Sequence, residues 1–358
     1  MNILFRYTAR QNLFLLASVL CLGVGIYLLA DVFENLERFI AADAGFLTAI
    51  TYFAVKIPMI ISQILPAVFL LACIVQIRLM ANNKELIALG AGGISPLVIV
   101  KYFMIISCIW GVIQFAFSDY LGIKGENLAR KILTEDVKGL SASQKTITGV
   151  WFTEGDYIVH IQEARPMLKE GVGFSAYQLS ADKNHIENII LADSFVTQKD
   201  FWLLKNARIT NTKNYSIKEE PSFQIALKQT LSAFVVAQSK KTFSQYSFGE
   251  LGATIKRLKN SGSNVEALKT SWHNKLAYAA SLLVMGLLAL SISLSGKNMY
   301  ICLGQGLICI FLLYSFNAFA SSLGAKGGLT PILAAWLPNL SFGVLSCLWL
   351  YQAFFRTK

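Results

Sequence analysis

Ile57-Pro58-Met59-Ile60-Ile61-Ser62-Gln63-Ile64-Leu65-Pro66-Ala67-Val68-Phe69-Leu70-Leu71-Ala72-Cys73-Ile74-Val75-Gln76-Ile77 runs between Lys56 and Arg78 without a charged residue. About 20 apolar residues, at 1.5 Å each, carry a helix across a hydrocarbon core of about 30 Å. This stretch has that length and reads as a membrane span. Further uncharged runs lie between Arg10 and Asp31, Lys101 and Asp119, Lys275 and Lys297, Lys297 and Lys326, and Lys326 and Arg356. The Lys101 to Asp119 run holds only 17 residues. Its helix is therefore expected to begin before Lys101 and to let that side chain snorkel to the interface.

Composition agrees. Of the 358 residues 54% are hydrophobic and only 15% charged, against a usual charged share of roughly 25%. Between Asp119 and Lys275 lie 37 of the 53 charged residues, and the other 201 positions hold 16. The expected fold is a membrane α-helical bundle of six transmembrane helices with a polar all-β domain inserted after the third. The expected divisions are 1–118, 119–248, a connecting helix at 249–275, and 276–358.

Arg6 and Arg10 resemble the basic start of a signal peptide, but the apolar stretch after them exceeds the usual length of about 7–15 residues. No A-x-A-like cleavage site follows, and Leu20 before Cys21 argues against lipoprotein processing. The helix is expected to be retained. With the N-terminus inside, the short cytoplasmic pieces hold eight basic residues (Arg6, Arg10, Arg78, Lys84, Lys101, Lys297, Arg356, Lys358) against the single acid Glu85. The short outer loops hold Arg38, Lys56 and Lys326 against Asp31, Glu34, Glu37 and Asp43. That bias puts both termini in the cytoplasm and the insert on the far side, because long domains translocate largely regardless of charge.

The insert reads as β structure. Val150-Trp151-Phe152 and Tyr157 to Ile161 flank a hairpin-like Thr153-Glu154-Gly155-Asp156. Further β-like runs, Val172 to Ser180, Ile186 to Thr197, Phe201 to Thr210 and Phe223 to Val236, are separated by turns such as Ala181-Asp182-Lys183-Asn184. A sandwich or an open barrel fits, either as a structural platform or as a ligand-carrying cleft. From Gly249 onward Leu251, Ile255 and Leu258 recur at helical spacing with Lys256, Arg257 and Lys259 around them, as in an amphipathic helix on the membrane surface. Ser261-Gly262-Ser263-Asn264 then breaks the pattern, as a hinge or as an ordinary linker.

The connection between the second and third spans runs from Arg78 to Pro96. Asn82 or Asn83 can cap a short helix there, Leu86, Ile87 and Leu89 make it apolar, and glycines stop it before Ser95-Pro96 opens the next helix. A small apolar helix facing the cytosol is either a docking element or an interfacial helix resting on lipid. Glu85 is its natural ionic contact for a basic groove. No chemistry of the chain's own is visible. Ser291 to Asn298 lacks the first glycine and the closing Ser or Thr of a phosphate loop. No nucleophilic triad can be assembled on one side of the membrane. His160, His185 and His273 lack partners at metal-ligand spacing. All six cysteines (Cys21, Cys73, Cys108, Cys302, Cys309, Cys347) fall in apolar helices, where they read as small packing residues. No cofactor or metal is expected.

The whole pattern resembles the lipopolysaccharide-export permeases LptF and LptG (the YjgP/YjgQ family). Its marks are Pro58 to Pro66, the knob from Glu85 to Gly93, Gly125-Glu126-Asn127-Leu128-Ala129-Arg130 after the third span, and Val150-Trp151-Phe152. The Trp151 hairpin and the segment Leu258 to Gly262 look more like the LptG half. The resemblance implies a β-jellyroll in the periplasm and a non-catalytic inner-membrane subunit. It further implies four partners: a dimeric cytosolic ABC ATPase, a second six-helix LptF-like permease, an LptC/LptA-like periplasmic bridge protein, and lipopolysaccharide, with no nucleic acid. It makes the knob a coupling helix, with Glu85, Leu86, Leu89 and Gly93 at the ATPase. It makes the first and fifth helices, roughly Leu13 to Arg38 and Met299 to Leu323, lateral gates for the lipid.

Family members carry several basic residues at the outer end of the first helix, suited to lipid A phosphates. This chain has Asp31, Glu34 and Glu37 there, with Arg38 alone positive, which makes Arg130 the better candidate for phosphate contact. Phe311, Tyr314, Phe316 and Phe319 on the fifth span either line a lipid cavity or pack between helices. Gly304, Gly306 and Gly324 fit close helix approach. Two other functions compete: a scaffolding or mechanotransmitting membrane protein whose exported domain regulates a periplasmic partner, and an ion-coupled transporter. The second is disfavoured because such proteins place ionisable residues within the bilayer.

Overall fold

Each of the six apolar runs supplies most of its length to a long helix in the computed structural model, which describes residues 2–42, 45–137, 147–180, 185–198, 201–227, 231, 246–260, 264–294 and 298–355. The long helices are α1 (Asn2–Ala41), α2 (Phe46–Asn82), α4 (Pro96–Phe117), α7 (Glu266–Ser293), α8 (Met299–Ala325) and α9 (Pro331–Phe355). Shorter ones are α3 (Glu85–Ala91), α5 (Ile123–Lys131) and α6 (Phe248–Asn260). Two units result, residues 1–133 with 266–358 and residues 134–265. Lys297, the turn 181–184, the break at 261–263 and most of the run 223–236 lie outside the described residues.

In the first unit α2 and α7 form the centre. Their most apolar windows are 67% and 72% buried, against 6% for α1. Phe69, Leu70, Ile74 and Ile77 of α2 pack with Phe103 of α4 and Met285 and Leu288 of α7, and Cys73 and Cys302 fill gaps in the same core. Ser95 caps α4 by accepting the Leu97 N–H at 3.3 Å, with Pro96 at the first helical position. The helix thus starts five residues before Lys101, whose side chain is exposed. Beyond Phe117 the chain continues through a π-helical segment, Ser118–Gly122, into α5. At Gly125 a Cβ would stand 2.6 Å from the Val55 carbonyl, so glycine allows α5 to lie directly against the N-terminal half of α2. At 40 and 37 residues, α1 and α2 are about 60 and 55 Å long and project well past a bilayer core of about 30 Å.

The second unit holds the expected β domain. Its strands β1 (Ile147–Glu154), β2 (Tyr157–Arg165), β3 (Glu170–Leu179), β4 (Ile186–Thr197), β5 (Trp202–Asn211) and β6 (Ile217–Ile225) form one antiparallel sheet in sequential order. The sheet is strongly rolled. Phe152 of β1 and Trp202 of β5 lie four strand spacings apart, about 19 Å if flat, yet their ring centroids are 5.9 Å apart. Each of β1 to β5 shows the same break in alternation: two consecutive outward residues separate inward ones. These pairs (148–149, 162–163, 172–173, 193–194, 205–206) lie at one level across the ladder. Gly149, Gly173 and Asn206, on alternate strands, have positive φ there. The resulting bend keeps Ile147, Phe195 and Trp202 inward on one side and Val150, Phe174 and Ala192 inward on the other.

The final strand differs from expectation. It spans Ile217–Ile225, ahead of most of the apolar run Phe223 to Val236. Pairing with β5 places it, not apolar content, and as an edge strand it tolerates Pro221. In α6, Ser247 and Glu250 form a reciprocal cap, the Ser247 N–H donating to Glu250 Oε2 at 2.8 Å and the Glu250 N–H to Ser247 Oγ at 3.2 Å. Leu251 and Leu258 are buried in protein, so these two positions of the amphipathic face are covered by the chain itself.

Candidate functional site

The knob is a turn, a short helix and a stop. α2 runs on through Asn82, so neither Asn82 nor Asn83 caps α3 as their residue types suggested. The residue before α3 is Lys84, in the left-handed region at φ 60°. The stop is a Schellman motif: the Gly93 N–H donates to the Gly90 carbonyl and the Ile94 N–H to the Leu89 carbonyl, both at 3.0 Å, with Gly93 at φ +76°. None of α3 is buried: Leu86 and Leu89 are half-buried, and Ile87 is 70% exposed. Glu85 accepts from the Tyr7 hydroxyl at 3.2 and 3.3 Å and from Asn83 Nδ2 at 3.4 Å. Among the described residues no cation pairs with it. The knob is thereby tied to the N-terminal end of α1, a link that two residues 78 positions apart do not announce in sequence.

At the other end of α2 stands a polar collar. Asp31 of α1 is buried, bonded to Lys56 of α2 at 2.5 Å and to Asn35 Nδ2 at 3.0 Å. Lys56 also donates to the Tyr52 hydroxyl at 3.2 Å. Asp31 is therefore an internal clamp between two helices, neutralised in place. Arg38 remains exposed on α1 and donates to Asn35 Oδ1 at 3.0 Å. Arg130, on α5, lies 3.8 Å from Glu126 one turn earlier. The pairing of Asp31 with Lys56 was readable in principle, since one ends the first apolar run and the other precedes the second.

Along α8 the aromatic residues divide. Phe311 and Phe319 are 69% and 64% exposed on one face. Tyr314 turns inward and stacks on Tyr278 of α7, centroids 6.5 Å apart and hydroxyls at 3.5 Å. On α1, Leu22, Ile26, Leu29 and Phe33 form a comparable exposed apolar stripe. Knob, collar and α8 face thus occupy separate parts of the helical unit. Among the described residues no three His, Cys, Asp or Glu side chains come together as a metal site would require.

The model of the lipopolysaccharide export system permease LptF/LptG family matches residues 6–352. The chain belongs to that family. It is 23% identical over 358 residues to the lipopolysaccharide export system permease protein LptG of Escherichia coli strain K12, covering 98% of both chains. The same values hold for LptG of Escherichia coli O6:H1 strain CFT073.

In this LptF/LptG permease the match takes in both the six spans and the β unit. What the helical unit offers is mechanical connection. Asn12 and Gln76 bond at 2.9 Å in the buried α1–α2 seam, and Gln76 also donates to the Thr8 carbonyl at 2.8 Å. With the Tyr7–Glu85 and Asp31–Lys56 contacts, α1 is fastened to the α2–α3 arm near both ends and again through that seam.

Proposed function

We propose that this permease is the LptG-like half of an ATP-driven extractor that lifts lipopolysaccharide from the outer leaflet of the inner membrane. It pairs with a second six-span, LptF-like permease and passes the lipid to an LptC/LptA-like periplasmic bridge. Both termini and α3 are cytoplasmic, and three crossings put the β domain in the periplasm. ATP is hydrolysed by a dimeric cytosolic ATPase, with Glu85, Leu86, Leu89 and Gly93 of the knob in its groove. Arg38 and Arg130 are the proposed phosphate contacts. Phe311 and Phe319 form the lipid-facing side of α8, while Tyr314, packed on Tyr278, supports it from within.

The observation that carries this reading is the knob itself, a capped helix with no buried residue, physically joined to α1 through Tyr7 and Glu85. A helix left bare by its own chain and fastened to a membrane arm is suited to receive force from a partner. Purification of the tagged protein from its native membrane in mild detergent, with mass spectrometry of co-purifying chains and lipids, tests it. An ATPase, a second permease and bound lipopolysaccharide are expected. Recovery alone, or with a periplasmic enzyme and no glycolipid, would replace export with a scaffolding role.

A further inference from the structure

Pro66 has no N–H, so the Ser62 carbonyl, its partner four residues earlier in a regular helix, loses its donor. Another helix supplies a replacement. Gln114 Nε2 of α4 donates to the Ser62 carbonyl at 2.6 Å, and Ser62, Pro66 and Gln114 are all buried. The neighbouring Gln63 carbonyl accepts from the Tyr278 hydroxyl of α7. Gln114 Oε1 is buried with no partner among the described residues, so what this amide does is donate to the carbonyl that the proline orphans. Reversed, it would set oxygen against oxygen.

The surroundings converge on the same point. Gly122 of the π-helical segment lies so close that a Cβ there would be 2.9 Å from Ser62 Oγ. Asp119 of that segment pairs at 3.1 Å with Lys275, one turn before Tyr278 on α7. On the cytoplasmic side of Pro66, α2 is embedded in the core through Phe69, Leu70, Ile74 and Ile77 and continues to the knob. On the outer side it lies against α5 at Val55 and clamps α1 through Lys56. The proline thus divides two differently anchored halves of one helix.

We infer that Pro66 is a hinge in α2, and that Gln114 and Tyr278 are positioning residues, one holding the Ser62 carbonyl that the proline frees and the other the neighbouring Gln63 carbonyl while the helix bends, so that displacement of the knob reaches the outer end of α1 as a change of bend. This rests on the reading of α3 as the ATPase contact. The test uses the full-length chain, reconstituted with its co-purifying subunits, carrying Pro66→Ala, Gln114→Leu, or both. Alanine restores the N–H that Ser62 lacks. Gln114→Leu is expected to lower the folded-to-unfolded ratio about tenfold beside proline, the scale of one buried hydrogen bond, and to have little effect beside alanine. Equal cost in both backgrounds would overturn the role of Gln114. Pro66→Ala is expected to fold, assemble and hydrolyse ATP while releasing lipopolysaccharide about tenfold more slowly; release at the wild-type rate would overturn the hinge. Tyr278→Phe keeps the ring and removes the donor, so it should slow release without loss of assembly, and unchanged release would remove Tyr278 from the joint. The stability cycle needs no ATPase. A wrong reading of the knob would leave that cycle intact and show instead as wild-type protein that releases lipid without ATP dependence.

Discussion

Asp31 carries its charge at a position 5% exposed, held by Lys56 at 2.5 Å. Removing one member of such a pair strands the other in poorly hydrated surroundings, which costs more than losing both. Asp31→Ala is expected to destabilise the helical unit by about 3 kcal/mol, and Asp31→Ala with Lys56→Leu to recover most of it, read from unfolding titrations in mixed detergent micelles. Equal losses in the single and double variants would show that the pair acts only locally. Glu85 is the opposite case, a half-exposed carboxylate bonded, among the described residues, only to neutral donors. Truncating one partner of a charge pair buried on assembly costs about 2–5 kcal/mol. Glu85→Ala should therefore reduce ATPase co-purification by more than tenfold, and unchanged recovery with export intact would end that assignment.

Two elements depend on left-handed backbone positions. The knob stops at Gly93, where φ is +76° and a Cβ would meet nothing within 4 Å. The cost of Gly93→Ala is then conformational alone, about 1 kcal/mol. It is expected to fray the last turn of α3 and lower ATPase retention while the chain still inserts, as shown by pull-down against membrane yield. In the β unit Gly149 and Gly173 have φ of +65° and +68°, but only at Gly173 would a Cβ collide, 2.5 Å from Gln162 Oε1. Gly149→Ala should cost about 1 kcal/mol and Gly173→Ala clearly more, in thermal unfolding of the full chain. Equal costs would mean that Gln162 moves freely aside and that the bend is not tightly packed. The bend escaped sequence reading because Gly149 and Gly173, on different strands, say nothing about sharing one level until the register is known.

On the scale of the whole chain, three helices before the β unit and three after it place knob and sheet on opposite sides of a membrane. Single cysteines introduced at Ile87 and Tyr215, both exposed, in a background lacking the native cysteines should differ sharply. A membrane-impermeant maleimide applied to cells with a permeabilised outer membrane is expected to label the Tyr215 position and spare Ile87. Labelling of both, or of Ile87 alone, would reverse the orientation drawn from Lys and Arg. Spans, insert, knob and turn were legible because each rests on local composition: charge-free length, alternation, and glycine or proline at fixed offsets. The strand Ile217–Ile225 escaped sequence reading for the complementary reason, since β6 is held by backbone pairing with β5 and its Lys218, Glu219 and Glu220 carry no apolar signal.

The amino-acid sequence by itself determined that the chain crosses a membrane six times, where it leaves the hydrocarbon, and that a glycine-stopped helix lies between the second and third spans, because desolvation of backbone and charge acts residue by residue along the chain. Only the tertiary structure decided which groups answer one another across it. Lys56 neutralises Asp31, Tyr7 holds Glu85, and Gln114 donates to the carbonyl that Pro66 leaves bare. Each joins positions at least 25 residues apart. A hydrogen bond or ion pair forms by distance and direction in space, and packing of the helices sets both.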